Sequence, residues 1–129
     1  MSLRILIADD NPDTTLTLGL LLGEDGHLVR SLNSDAGVVD SVQEFQPDVC
    51  ILDIEMPSQS GYAIAGELRR IYGPLRPLMI AISGKWYRPL DQLLARGCGF
   101  DHFLEKPAEP RQLLQILADV QRRRAEAAA

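Results

Sequence analysis

Five short runs of apolar residues punctuate this chain, and stretches of helical periodicity separate them. Residues 3–8, 49–52 and 78–82 lack the regular polar alternation of a strand with one wet face. They are too short for free-standing helices and rich in strand formers. Each is therefore read as a strand covered on both faces, as in a parallel sheet. Residues 27–32 are more polar and suit a sheet edge, and residues 100–104 form the fifth run.

The segments between them carry helix signals. Asn11-Pro12 supplies a cap and a first-turn proline, and Gly26 closes the helix that follows. Its leucines form two sets at helical spacing, Leu16 with Leu20 and Leu18 with Leu22, and both are assigned to the core. Asn33, Ser34 and Asp35 offer caps for a second helix with Val38, Val39, Val42 and Phe45 on one face, ended by Pro47. Residues 61–72 form a third, with Ile64, Leu68 and Ile71 inward and Glu67, Arg69 and Arg70 outward. Residues 90–96 form a short fourth helix, closed by Gly97 and preceded by a loop that carries Trp86. A fifth covers residues 110–124, with Leu113, Leu117 and Val120 inward and Arg122, Arg123 and Arg124 suited to its carboxyl end. Strand and helix alternate five times. The expected fold is an α/β doubly wound parallel sheet of (βα)5 form, with right-handed crossovers and helices on both faces. At 129 residues this is one domain, residues 1–129, with a core over about 3–124 and a tail at 125–129.

Composition narrows the function. A net charge of −5 argues against direct nucleic-acid binding, which wants a basic face. The two cysteines, Cys50 within a strand and Cys98 beside a glycine turn, match neither a metal site nor a disulfide framework. Cys50 reads as a buried thiol acting as a small hydrophobe. No stretch has the length and apolarity to span a membrane, and the first residues run straight into a strand, so a cytoplasmic protein is expected.

The chemistry gathers at strand ends. The runs stop on Asp9-Asp10, Asp53, Ser83 and Lys106, and parallel strands deposit these residues on one edge of the sheet, where open α/β folds place ligands. Singly, Asp9 or Asp10 could cap the first helix, Ser83 could serve a turn, and Lys106 could be a solvated lysine. Together they bring three carboxylates, a hydroxyl and an ammonium to one place. Close carboxylates repel one another, and a hard divalent cation such as Mg2+ relieves them. The set fits a phosphoryl group arriving on Asp53, where catalysis is mainly positioning and charge neutralisation. His27 and His102 read as surface or internally satisfied histidines.

The order of these pieces resembles the receiver domain of two-component response regulators, of the type found alone or attached to hybrid sensor histidine kinases. The resemblance rests on Ile7-Ala8-Asp9-Asp10-Asn11, Leu52-Asp53-Ile54-Glu55-Met56-Pro57 with Gly61, Ile82-Ser83-Gly84, and the run from Gly99 to Pro107 that ends Phe103-Leu104-Glu105-Lys106-Pro107. Each motif is weak alone; together, in this order along the whole chain, they are specific. The resemblance implies a flavodoxin-like strand order 2-1-3-4-5. It implies that Asp53 accepts a phosphoryl group from a histidine kinase or phosphotransfer protein. Asp10, Asp53 and the carbonyl of Glu55 would hold Mg2+ directly, and Asp9 through water. Lys106 would pair with Asp53 at rest and with the phosphoryl oxygens afterwards. Ser83 and Phe103 would be the switch pair, and the Lys106–Pro107 bond would be cis. The switched surface would engage a downstream output domain or protein. Glu55 and Lys85 occupy the positions that tune dephosphorylation, and they are expected to approach each other and hinder water. Three other readings compete. An aspartyl-nucleophile phosphohydrolase would use Glu55 as its second acid. A flavodoxin-like electron carrier would need a phosphate-binding loop where Asp9-Asp10 places negative charge. A degenerate receiver that only binds would lack part of the acid, hydroxyl and lysine set.

Overall fold

The computed structural model describes residues 2–56, 60–84 and 89–128, and the side chains of all of these except residues 89–92. Five strands, β1 (Arg4–Ala8), β2 (Leu28–Leu32), β3 (Val49–Asp53), β4 (Leu78–Ser83) and β5 (His102–Glu105), form one sheet in the order β2-β1-β3-β4-β5. Every pairing is parallel. The helices are α1 (Pro12–Glu24), α2 (Val38–Phe45), α3 (Gly61–Tyr72), α4 (Pro89–Gly97) and α5 (Pro110–Ala128). Fold and strand order are those expected.

The apolar runs explain the layers. Side chains alternate across a strand, so a run without polar residues feeds two cores at once. Leu6, Cys50, Leu52, Met79 and Ala81 point to one face and pack with Val38, Val42, Phe45, Ile64 and Leu68 of α2 and α3. Ile5, Ile7, Val49, Ile51, Ile80 and Ile82 point to the other and pack with Leu18 and Leu22 of α1 and Leu113, Ile116 and Leu117 of α5. All five residues of β3 are buried, whereas β2 at the edge is not buried at any position. Burial pushes the Cys50 thiol up to about 12, against the weaker opposing influence of Arg69, so it stays a neutral hydrophobe at physiological pH.

Five local expectations are corrected. Of the two leucine sets on α1 only Leu18 and Leu22 meet the sheet, while Leu16 and Leu20 are 62% and 60% exposed. Both sets satisfy helical periodicity, but positions two apart lie about 200° apart on the helix, so one sheet cannot cover both. Ile71 in the last turn of α3 is also exposed. The triplet Asn33-Ser34-Asp35 does not cap α2: Ser34 Oγ accepts from the Ala36 amide at 3.0 Å, and the helix begins behind Gly37 with no side-chain cap. Helix α5 continues past Arg124 to Ala128, so Arg122 pairs with Asp119 within the helix and Arg124 reaches back to Asp48 ahead of β3. His27 is internally satisfied: Nδ1 accepts the Leu3 amide and Nε2 faces Asp25, each at 3.1 Å.

The fifth correction is Arg69, expected outward. Its guanidinium turns in to donate to the carbonyls of Gly99 and Pro77, each at 2.9 Å, and to the Asp101 carboxylate at 2.8 Å. The same Asp101 oxygen accepts the Met79 amide at 2.8 Å, which ties β4 to the turn before β5 and starts β5 at His102 rather than Phe100. Gly99 makes this possible. Its φ is +111°, and a Cβ there would stand 2.4 Å from Arg69 Cγ.

Arg69→Met should destabilise the chain by about 3 kcal/mol in urea unfolding, because it removes a charged fork from two carbonyls and a carboxylate. Arg69→Lys should recover less than half of that, since one ammonium cannot reproduce the fork.

Candidate functional site

Because all five strands are parallel, their carboxyl ends open on one rim. Asp9 and Asp10 follow β1, Asp53 ends β3, Ser83 ends β4 and Lys106 follows β5. The register pairs Asp53 with Ile82 and Ser83 with Glu105, which brings the ends of β3, β4 and β5 level. The Lys106 amide extends the pairing by donating to the Ser83 carbonyl at 2.7 Å. The Lys106–Pro107 bond is cis, as is Arg76–Pro77.

Glycine is needed where α3 starts against β3. A Cβ on Gly61 would fall 2.8 Å from the Asp53 carbonyl oxygen and 2.7 Å from Ile54 Cα, inside any tolerable contact with backbone. The helix is capped by Ser60, whose hydroxyl accepts the Ala63 amide at 3.3 Å. The end of β3 and the start of α3 are thereby pressed together behind the Asp53 side chain.

The polar groups converge as expected. Asp9 is fully buried, Asp53 is 3% exposed and Ser83 2%. Asp9 Oδ1 accepts the Asn11 amide at 2.9 Å; the α1 cap itself is Asn11, whose Oδ1 accepts the Asp13 amide at 3.0 Å. Asp53 Oδ1 accepts the Glu55 amide at 2.9 Å. The Lys106 ammonium lies 2.7 Å from Asp9 Oδ2 and 3.2 Å from Asp53 Oδ2, so at rest it bridges both acids rather than pairing with Asp53 alone. Asp10 is exposed, and oxygens of Asp9, Asp10 and Asp53 all lie within 4.8 Å of one another. Two unit charges that close repel by on the order of 3 kcal/mol at an effective dielectric near 20, and one lysine cannot offset three acids. An all-carboxylate donor set of this spacing fits a hard divalent cation.

Electrostatics agree with the geometry. Burial drives the Asp53 carboxyl above its ordinary range; the Glu55 amide opposes this, the Asp9 charge adds to it, and Lys106 opposes it. For Lys106, burial works to lower the proton affinity, but the bond to Asp9 and the charges of Asp53 and Asp9 outweigh it and hold the ammonium more firmly.

Phe103 is half-buried on β5 opposite Ala81, against the core on the α2–α3 face. The Glu55 side chain is half-buried and accepts a hydrogen bond from the Ser83 hydroxyl, a contact not foreseen from sequence. Nothing in a linear reading joins residues 28 apart; only the β3–β4 register does. The expected approach of Lys85 to Glu55 falls outside the described residues, as do Pro57, Ser58 and Trp86. A groove of about 370 Å³ between α1 and the segment after β5, lined by Asn11, Thr14, Thr17, Leu18, Lys106 and Pro107, opens beside the cluster.

The chain is similar to known proteins. The family model for the response regulator receiver domain matches residues 5–118. The chain is 32% identical over 125 residues to the sensory/regulatory protein RpfC of Xanthomonas campestris pv. campestris, covering 92% of this chain and 16% of that protein. It is 30% identical over 121 residues to the response regulator GtcR of Aneurinibacillus migulanus, covering 94% of this chain and 47% of that one. The chain thus spans less than half the length of either relative. In three dimensions it superposes on a CheY-like response regulator receiver domain protein from Methanospirillum hungatei with a TM-score of 0.84 at 20% identity, covering 98% and 99% of the two chains.

Asp53→Asn should stabilise the metal-free chain at pH 7 by about 1 kcal/mol in urea unfolding, by removing a buried charge from a crowded site. The gain has a defined pH course. A carboxyl whose folded-state proton affinity is raised binds more protons folded than unfolded, so its contribution to stability is largest below the ordinary carboxylate range and lost as pH rises through its folded value. The advantage of Asp53→Asn should therefore shrink as pH falls toward about 4.

Proposed function

This chain belongs to the response regulator receiver domain family, the phospho-acceptor modules of two-component signalling, and from that premise we propose that Asp53 is its phosphoryl acceptor. The donor is a phosphohistidine on a sensor histidine kinase or phosphotransfer protein. One Asp53 carboxylate oxygen attacks phosphorus, the P–N bond breaks, and the electron pair leaves with the imidazole. The observation that carries this reading is the position of Lys106, within reach of Asp9 and Asp53 together. An ammonium so placed can turn from carboxylate to phosphoryl oxygens without leaving its seat.

The remaining roles follow from placement. Asp10, Asp53 and the Glu55 carbonyl are the groups to hold Mg2+ directly, with Asp9 acting through water. When bound, Mg2+ supplies positive charge that lets acids and phosphoryl oxygens coexist. The Ser83 hydroxyl donates to a phosphoryl oxygen, and Phe103 moves further into the core behind it. A phosphoryl group adds about −1.5 to −2 charges where three acids already stand, so repacking around Ser83 and Phe103 is the route by which the surface of α4, β5 and α5 changes for a downstream partner. The groove beside Lys106 gives a donor histidine its approach. A cytoplasmic setting is part of this reading; no helix among the described residues is long and apolar enough to cross a membrane. The hydrolase alternative asks Glu55 to act as a free acid, but its carboxylate is occupied as an acceptor for Ser83.

Incubation with Mg2+ and a small acyl phosphate should add the mass of one phosphate to the native chain and none to Asp53→Asn. Phosphate release from an ester substrate should stay below one equivalent per chain. Lys106→Met should slow phosphoryl uptake by at least about tenfold, the cost of losing one charged contact in the transition state. Mass gain in Asp53→Asn equal to that of the native chain would place the acceptor elsewhere.

A further inference from the structure

The hydrogen bond from Ser83 to Glu55 has no role in phosphoryl acceptance as set out above. Its placement follows from the backbone on either side. The Glu55 amide donates to Asp53 Oδ1 at 2.9 Å, which seats the Glu55 backbone beside the acceptor. The β3–β4 register puts Ser83 one residue beyond the Asp53–Ile82 pair, and Glu55 stands two beyond Asp53. The Glu55 side chain therefore reaches across the rim and accepts a hydrogen bond from the hydroxyl of Ser83, a residue that is 2% exposed.

A serine hydroxyl has one proton. It can go to the Glu55 carboxylate or to an oxygen of an incoming phosphoryl group, but not to both. We propose that Glu55 is a positioning residue that holds the Ser83 hydroxyl away from the acceptor site in the resting protein. Phosphoryl acceptance then includes an exchange of one donor between two acceptors: the bond to Glu55 Oε1 breaks and a bond to a phosphoryl oxygen forms. The inference rests on the phospho-acceptor reading and deepens it.

The energetics favour a reversible hold. A hydroxyl bonded to a carboxylate is among the stronger neutral–ion contacts, so the resting arrangement is favoured. Glu55 is only half-buried, so water can take over when the hydroxyl turns away, and release does not strand a charge. Any ligand that needs the Ser83 proton binds more weakly by the fraction of time that proton is available. The readiness of this chain to accept a phosphoryl group is thereby set by a residue that does not touch phosphorus.

A carboxylate near the site would also repel an anion through space, with or without Ser83. A double-mutant cycle separates the two effects. Beryllium trifluoride with Mg2+ is titrated calorimetrically into the native chain, Glu55→Ala, Glu55→Gln, Ser83→Ala and the Glu55→Ala/Ser83→Ala pair, with Asp53→Asn as control. Glu55→Ala should bind about tenfold tighter than native, matching the loss of one bond to a charged acceptor. Glu55→Gln, which keeps an acceptor oxygen but no charge, should fall between. In the Ser83→Ala background Glu55→Ala should tighten binding far less, by the through-space repulsion alone. In the metal-free protein, proton couplings of Ser83 should report one side-chain rotamer in the native chain and averaging in Glu55→Ala. Equal tightening with and without Ser83, or no tightening, overturns the hold. A native chain that fails to bind the fluoride, or an Asp53→Asn that binds equally well, overturns the phospho-acceptor reading instead, and the rotamer measurement still decides whether Glu55 holds Ser83.

Discussion

Crowding of like charge at one rim of the sheet is the constraint on which the rest of this structure depends. Asp9, Asp10 and Asp53 stand within 4.8 Å of one another, and two of the three are buried. Such a site is unstable unless positive charge is held against it. Lys106 supplies the first part, at 2.7 Å from Asp9 and 3.2 Å from Asp53. A lysine can hold that place only if its backbone is rigid, and pairing of its amide with Ser83 at the end of β4 makes it so. The sheet, and the two apolar layers that clamp it, are what keep the acids from moving apart.

Among the described residues, that arrangement leaves the three acids with one ammonium against them. Two buried acids share one ammonium, and the third acid faces solvent. A divalent cation or a redistribution of Lys106 can each change the balance by amounts comparable to the hydrogen bonds nearby. The contact between Ser83 and Glu55 is one such bond, one strand over from the acids.

A second anchoring system lies at the other end of the fold. Arg69 ties α3 to the segments before β4 and β5, and Arg124 ties α5 to Asp48 ahead of β3. Neither touches the acids. Their effect is to fix the amino ends of strands whose carboxyl ends form the site. Gly61 and Gly99 serve the same two ends by allowing backbone and side chain to approach where a Cβ would not fit.

Much of this was legible in the order of residues. Uninterrupted apolar runs imply strands covered on both faces, strand–helix alternation implies parallel pairing, and parallel pairing implies that Asp9, Asp10, Asp53, Ser83 and Lys106 share one edge. Those steps need only periodicity and chirality, which are local properties. The rest required long-range geometry. Periodicity could not choose between Leu18 with Leu22 and Leu16 with Leu20, because only the position of the sheet decides which stripe is covered. Charge alone made Arg69 look like a surface residue, because its acceptors at Gly99 and Asp101 come from a distant segment. The partner of Ser83 was equally hidden, since Glu55 meets it only through the register of two strands. A chain specifies its elements through neighbours a few residues apart; which side chains share a hydrogen bond or a charge is decided by the packing of elements against one another.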